Sequence, residues 1–200
     1  MNQLDAYFQN LVPTVMVPTA EPLVELDAEG HRFLAAADGL WLEVKRPWLH
    51  LIWPVAQQSI VAMPYGALTK KCVVAAGSVP KGMLQQFADE ACRTPQVECA
   101  AWLLWDEQRQ QYQYQPVEVL RAGPRHISYN RPVLADHEHL VVDMHSHAQL
   151  PAFYSDEDDE DDAGEVKFSF VVGQCDLAQP SQVMRLCALG LFIDVPLGQS

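Results

Sequence analysis

A chain of 200 residues with 49% apolar and 20% charged residues can bury a core around one active centre but is too short for two large domains, and it is not wholly disordered. Its formal net charge of −13 argues against direct binding to DNA or RNA, whose affinity is built largely from Lys and Arg neutralising phosphates.

The N-terminal MNQLDAYFQNLVPTV has no basic region followed by an apolar core, and no stretch approaches about 18 uninterrupted apolar residues. The expectation is a cytoplasmic protein that does not enter a membrane. Residues 1–70 hold short apolar runs with turn signals at Asp27 to Gly30 and at Asp38-Gly39, which predict β-hairpins in a small β-rich subdomain. Trp41, Trp48 and Trp53 in this part are expected to fill its core. The alternative is a docking surface for a protein partner, where Trp is enriched.

Residues 71–200 read as a second domain of mixed elements. KKCVVAAG is a strand, and Ser78 with Pro80 starts a helix over 80–93, on which Leu84, Phe87, Ala88, Ala91 and Cys92 recur at helical spacing. VECAAWLLW and QQYQYQPVEVL, joined by polar DEQRQ, predict two antiparallel strands. RHISY, EHLVVDM and VKFSFVVG are further strands, and MRLCALGLFIDV closes the sheet. The order favours an α/β fold, a mixed β-sheet sandwiched by helices. Cys72, Cys92, Cys99, Cys175 and Cys187 are widely spaced with no C-x-x-C pair, so they read as reduced, mostly buried thiols.

Chemistry concentrates in HLVVDMHSHAQLPAFYSDEDD. In an extended chain His145 and His147 project from one face and can chelate one ion. Asp158 can return as third ligand after a loop and the start of a short helix capped by Ser155. Three protein ligands leave one tetrahedral position for water, the arrangement of catalytic zinc. A second pair, His137 and His139, sits in the polar LADHEHL and reads as a solvated turn, while His31, His50 and His126 lack partners at ligand spacing and read as structural. Asp156 to Asp162 is an unbroken run of seven acids. It reads as solvated, and an EF-hand fails because Ala163 and Phe170 would occupy oxygen-ligand positions. Glu98 lies inside the apolar VECAAWLLW, where a carboxylate is costly to bury unless paired or employed. Glu90 and Glu107 are less suitably placed.

His145-Ser146-His147 followed by Ser155-x-x-Asp158 resembles the JAMM signature of the JAB/MPN (Mov34/PAD-1) metalloprotease family, in its prokaryotic branch; the similarity covers roughly residues 71–195. Ala148 stands where that family usually has proline, a change expected to alter loop stiffness and not ligation. The resemblance implies zinc on His145, His147 and Asp158, Glu98 as general base and Ser155 as an oxyanion stabiliser. It also implies cleavage of a peptide or isopeptide bond in a ubiquitin-like protein or its conjugate. In overall length, possession of an N-terminal extension and the prokaryotic character of its JAB core the chain resembles the PRTRC-system protein A group, whose systems pair a JAB protein with a ThiF-related activating enzyme and a ubiquitin-like protein. The rival is a non-catalytic MPN-like scaffold binding a partner through the N-terminal tryptophans. A zinc nucleoside deaminase, related in sheet architecture, needs a downstream cysteine pair that is absent from the sequence.

Overall fold

The computed structural model describes Leu4, Gln9 and residues 11–57, 61–122 and 127–197. His126 and the start of RHISY lie outside the described residues. The chain folds as two compact units, Met1–Gly77 and Ser78–Ser200.

The first unit is a five-stranded sheet in the order β1 (Thr14–Met16), β2 (Gly30–Ala36), β3 (Gly39–Arg46), β4 (Leu49–Gln57), β5 (Lys71–Val74). The Asp38-Gly39 signal makes the expected hairpin: Ala36 pairs with Gly39, and Asp38 accepts the Trp41 indole N–H at 2.8 Å. The Asp27 to Gly30 signal does not make a second one. The strand before it, β1, pairs with β2 in parallel, which requires a crossover and not a tight turn. KKCVVAAG is a strand, but it pairs with β4, so the first unit runs to Gly77 and not to residue 70. Trp41 and Trp48 are buried, as core filling requires, and Lys70 lies over the half-buried Trp53 ring. Glu43, fully buried, accepts from Arg32 Nε at 2.7 Å and Leu26 N at 2.8 Å, with His50 Nε2 at 2.9 Å. His50 is therefore a structural partner, as expected.

The second unit is built on a six-stranded mixed sheet in the order β13-β12-β11-β10-β6-β7. Its strands are β6 (Ala100–Asp106), β7 (Gln111–Pro116), β10 (Glu138–Ser146), β11 (Val166–Gly173), β12 (Ser181–Ala188) and β13 (Leu191–Asp194). Only β10 and β11 run parallel within it. Two segments expected to be continuous are each two strands. QQYQYQPVEVL divides after Pro116, which cannot donate to a ladder, so β8 (Glu118–Ala122) leaves to pair with β9 (Ile127–Asn130). MRLCALGLFIDV divides at Leu189-Gly190, both at positive φ (52° and 90°), the conformation of a two-residue hairpin turn.

The expected helix forms as α1 (Lys81–Arg93), with Pro80 at its N-cap and Leu84, Phe87, Ala88 and Ala91 buried. Phe87 meets Phe170 edge-on, so α1 covers the sheet face that Met144 and Phe170 share by register. A second helix, α2 (Asp156–Asp162), meets the opposite face, where Asp143, Lys167 and Arg185 point. Side chains alternate along a strand, so one central strand feeds a core on one side and carries polar groups on the other.

Candidate metal centre

His145 is near the end of β10, opposite Ala100 of β6 and Val171 of β11. His147 N donates to Val172 O at 2.8 Å, so the extended path continues beyond the strand. The two imidazoles therefore share a face, with Nε2 atoms 3.1 Å apart.

The loop from His147 to Ser155 is pinned along its length. Cys175 N donates to Ala148 O, Gln174 N to Leu150 O and Ala152 N to Ser181 Oγ, and Tyr154 Oη donates to Ser169 O. It passes so close to β11 that a Cβ on Gly173 would fall 2.2 Å from Ala152 N, so only glycine fits there. Ala148 adopts φ 49°, which proline, fixed near −65°, cannot take. The departure from the usual proline is thus a different backbone path, beyond the change in stiffness expected.

Ser155 caps α2 as expected, and does so reciprocally: its Oγ accepts from Asp158 N at 3.2 Å, and Asp158 Oδ2 accepts from Ser155 N at 2.8 Å and Oγ at 2.6 Å. This capping box fixes the carboxylate and leaves Oδ1 3.1 Å from His145 Nε2, with Oδ2 3.8 Å from His147 Nε2. Donors about 2.0–2.1 Å from one tetrahedral zinc lie about 3.3 Å from each other. The separations of His145 from His147 and from Asp158 Oδ1 fit, and all three ligand atoms lie within 4.8 Å of one another. Lone pairs at this spacing repel unless a proton or a cation lies between them. Burial opposes protonation of His145, but Asp158, Asp143 and Glu98 outweigh it and raise its pKa. His147 is lowered, by burial and by His145. Its Nδ1 is buried without a hydrogen bond of regular geometry, with the Pro151 backbone beside it favouring the protonated ring.

Glu98 is buried just before β6 and lines an open cavity with His147, Leu150, Phe153, Ser155, Asp156 and Glu157. Burial, opposed by His145 and aided by Asp158 and Glu157, pushes its pKa up to about 7. Glu90 instead accepts from Tyr114 Oη at 2.5 Å, and Glu107 faces His139 at 3.2 Å. His139 lies within β10 and not in the solvated turn expected.

The acidic run is not simply solvated, because Asp162 is buried. It meets Lys167 at 3.0 Å and Arg185 at 2.8 Å, and Asp159 meets Arg185 at 2.5 Å. Sequence reading missed Lys167 and Arg185. Their signal is a cation in an apolar strand, the same signal, with the sign reversed, that marked Glu98.

Two histidines at a strand end of a mixed sheet and a carboxylate from α2 converge beside an open cavity, which makes this an α/β protein with a candidate metal-ligand set. Residues 80–187 match the model of the prokaryotic homologs of the JAB domain, and the chain belongs to that family. Residues 2–75 match a domain of unknown function, DUF2016. No curated protein matches the chain. The solution structure of protein DSY2949 from Desulfitobacterium hafniense is similar over 57% of this chain and 86% of that one, at 16% identity and a TM-score of 0.43.

Proposed function

We propose that the second unit is a zinc-dependent hydrolase of amide bonds, with the metal on His145, His147 and Asp158. The observation that carries this reading is the convergence of three donors beside a buried carboxylate that borders open space. A zinc ion there would supply Lewis acidity and bring the pKa of water towards neutrality. Glu98, buried at the edge of the open cavity, can accept a proton from the attacking water and return it to the leaving amine. Ser155 fixes Asp158 through its other carboxylate oxygen. The Ser155 hydroxyl has one proton, directed at Asp158, so it must rotate to serve a developing oxyanion; the Ser155 N–H would then still hold the carboxylate.

The substrate we propose is a ubiquitin-like protein or a conjugate of one, with a ThiF-related activating enzyme as partner, on the resemblance of His145-Ser146-His147 and Ser155-x-x-Asp158 to the JAMM signature. In the scaffold alternative Trp41 and Trp48, 2% exposed, are not available for docking, which leaves the half-buried Trp53 of the three. No helix among the described residues is long and apolar enough to cross a membrane. The test is cleavage of a ubiquitin-like fusion by the purified chain, with and without chelator. Cleavage abolished by chelator and restored by zinc is expected; chelator-resistant cleavage, or none with zinc present, rejects the reading.

A further inference from the structure

Seven acids in succession make a poor helix. Like charges fall at i,i+3 and i,i+4, Asp159 to Asp162 crowd the end where the helix dipole disfavours anions, and two turns are too short to sustain themselves. Yet Asp156–Asp162 is helical, so its stabilisation comes from outside. Ser155 secures the first turn. The second is secured by the sheet, where Arg185, stacked between the rings of Tyr154 and Phe192 at 3.8 and 3.9 Å, binds Asp159 and Asp162, and Lys167 bridges Asp162 to Asp143.

The spacing gives this clamp a consequence for the site. Asp158 and Asp162 are four apart on one helix face, about 6 Å along the axis. His145 and Asp143 are two apart on one strand face, about 6.6 Å. The intervals match, so α2 lies against β10 with two rungs. One is Asp158 to His145, 3.1 Å. The other runs from Asp162 through Lys167 to Asp143, at 3.0 and 2.7 Å.

We propose that Lys167 and Arg185 are positioning residues: by neutralising Asp162 and Asp159 they hold α2 where the Asp158 carboxylate joins His145 and His147. Both cations bind acids other than Asp158 and act through the register of the helix. The proposal rests on the reading of those three residues as metal ligands.

The test uses the full chain and its Arg185→Gln, Arg185→Lys and Lys167→Met variants. Zinc affinity is measured by competition with a chromophoric chelator, the cobalt-substituted site by its visible spectrum, and the metal-free helix by amide exchange over residues 155–162. Outer partners of metal ligands typically matter by about 10–100-fold in affinity. Lys167 and Arg185 act one contact further out, so Arg185→Gln and Lys167→Met are expected to weaken zinc binding by about tenfold, the lower end of that range, shift the cobalt bands and speed exchange in α2 while β10 keeps its protection. Arg185→Lys should recover part of the loss. Should Arg185→Gln not fold, Asp159→Asn carries the test, because Asp159 is half exposed and its loss strands no buried charge; it should weaken zinc a few-fold. Folded variants with wild-type affinity and an unchanged cobalt spectrum overturn the proposal alone. A wild-type chain that takes up neither metal overturns the metal-site reading and the proposal together.

Discussion

Asp158 and His145 face each other at 3.1 Å through Oδ1 and Nε2, while the other carboxylate oxygen of Asp158 is held by Ser155. One residue is thus both helix cap and candidate ligand, so the loop after β10 cannot loosen without moving the donor.

Ser155→Ala should therefore weaken zinc binding as well as the fold. Losing an N-cap hydroxyl costs about 1 kcal/mol, and leaving Oδ2 with the Ser155 N–H but without the hydroxyl should cost up to about tenfold in metal affinity. Thermal denaturation and chelator competition measure the two separately. Ser155→Thr keeps the hydroxyl and should stay close to wild type in both.

Without metal, Asp158 and His145 support each other over a defined pH window. Burial resists ionisation of Asp158, but His145 and Ser155 hold its pKa below 3.8, so its contribution is present above that value and is lost as pH falls further. The His145 pKa is raised above 6.5, so its contribution is full below 6.5 and is lost as pH rises through the raised value. The pair is strongest between these limits. Zinc binding near about pH 7 should then displace roughly one proton. Calorimetric titration in buffers of different ionisation heat measures it, and heats independent of the buffer would contradict it.

Glu98→Gln should retain zinc and lose about 100-fold or more in turnover, the usual scale for a general base. It should also stabilise the metal-free protein at high pH. The wild-type carboxyl pKa is raised from 4.5 to about 7, so its relative support is full below 4.5 and gone above about 7, where a buried charge must be carried. With screening from the open cavity, the gain is about 2 kcal/mol above about pH 8 and nil near about pH 4. Denaturant midpoints at the two pH values decide it.

Within the acidic run the two sides of α2 should respond oppositely. Glu160 and Asp161 are exposed, and their change to Ser should stay within about 0.5 kcal/mol. Asp162→Asn leaves Lys167 and Arg185 short of a buried partner and should cost about 3 kcal/mol. Urea denaturation at neutral pH distinguishes them.

At Ala148, φ 49° predicts that Ala148→Gly is stabilising by up to about 1 kcal/mol, since glycine carries no left-handed penalty. Ala148→Pro should destabilise the loop and weaken zinc binding. A proline variant with wild-type melting temperature and metal affinity would show that the loop can take another path.

The amphipathic helix and the central strands were legible because their apolar residues recur at the periods of the elements they form. The burial of Glu98 was legible because a carboxylate in an apolar segment stands out. The boundary at Gly77 was not, because β5 carries no mark of which sheet it joins and only pairing with β4 decides it. Likewise Leu189-Gly190 lies inside an apolar run, and its turn depends on backbone angles that composition does not display.

The sequence by itself determined the donor types and the alternation that puts His145 and His147 on one face, because local geometry repeats every two residues along a strand. Only the tertiary structure decided whether Asp158, the one of seven adjacent acids that the spacing from Ser155 singles out, meets them. That choice follows from long-range contacts, with the sheet cations of β11 and β12 setting which side of α2 turns inward and Gly173 letting the loop pass close enough to deliver it.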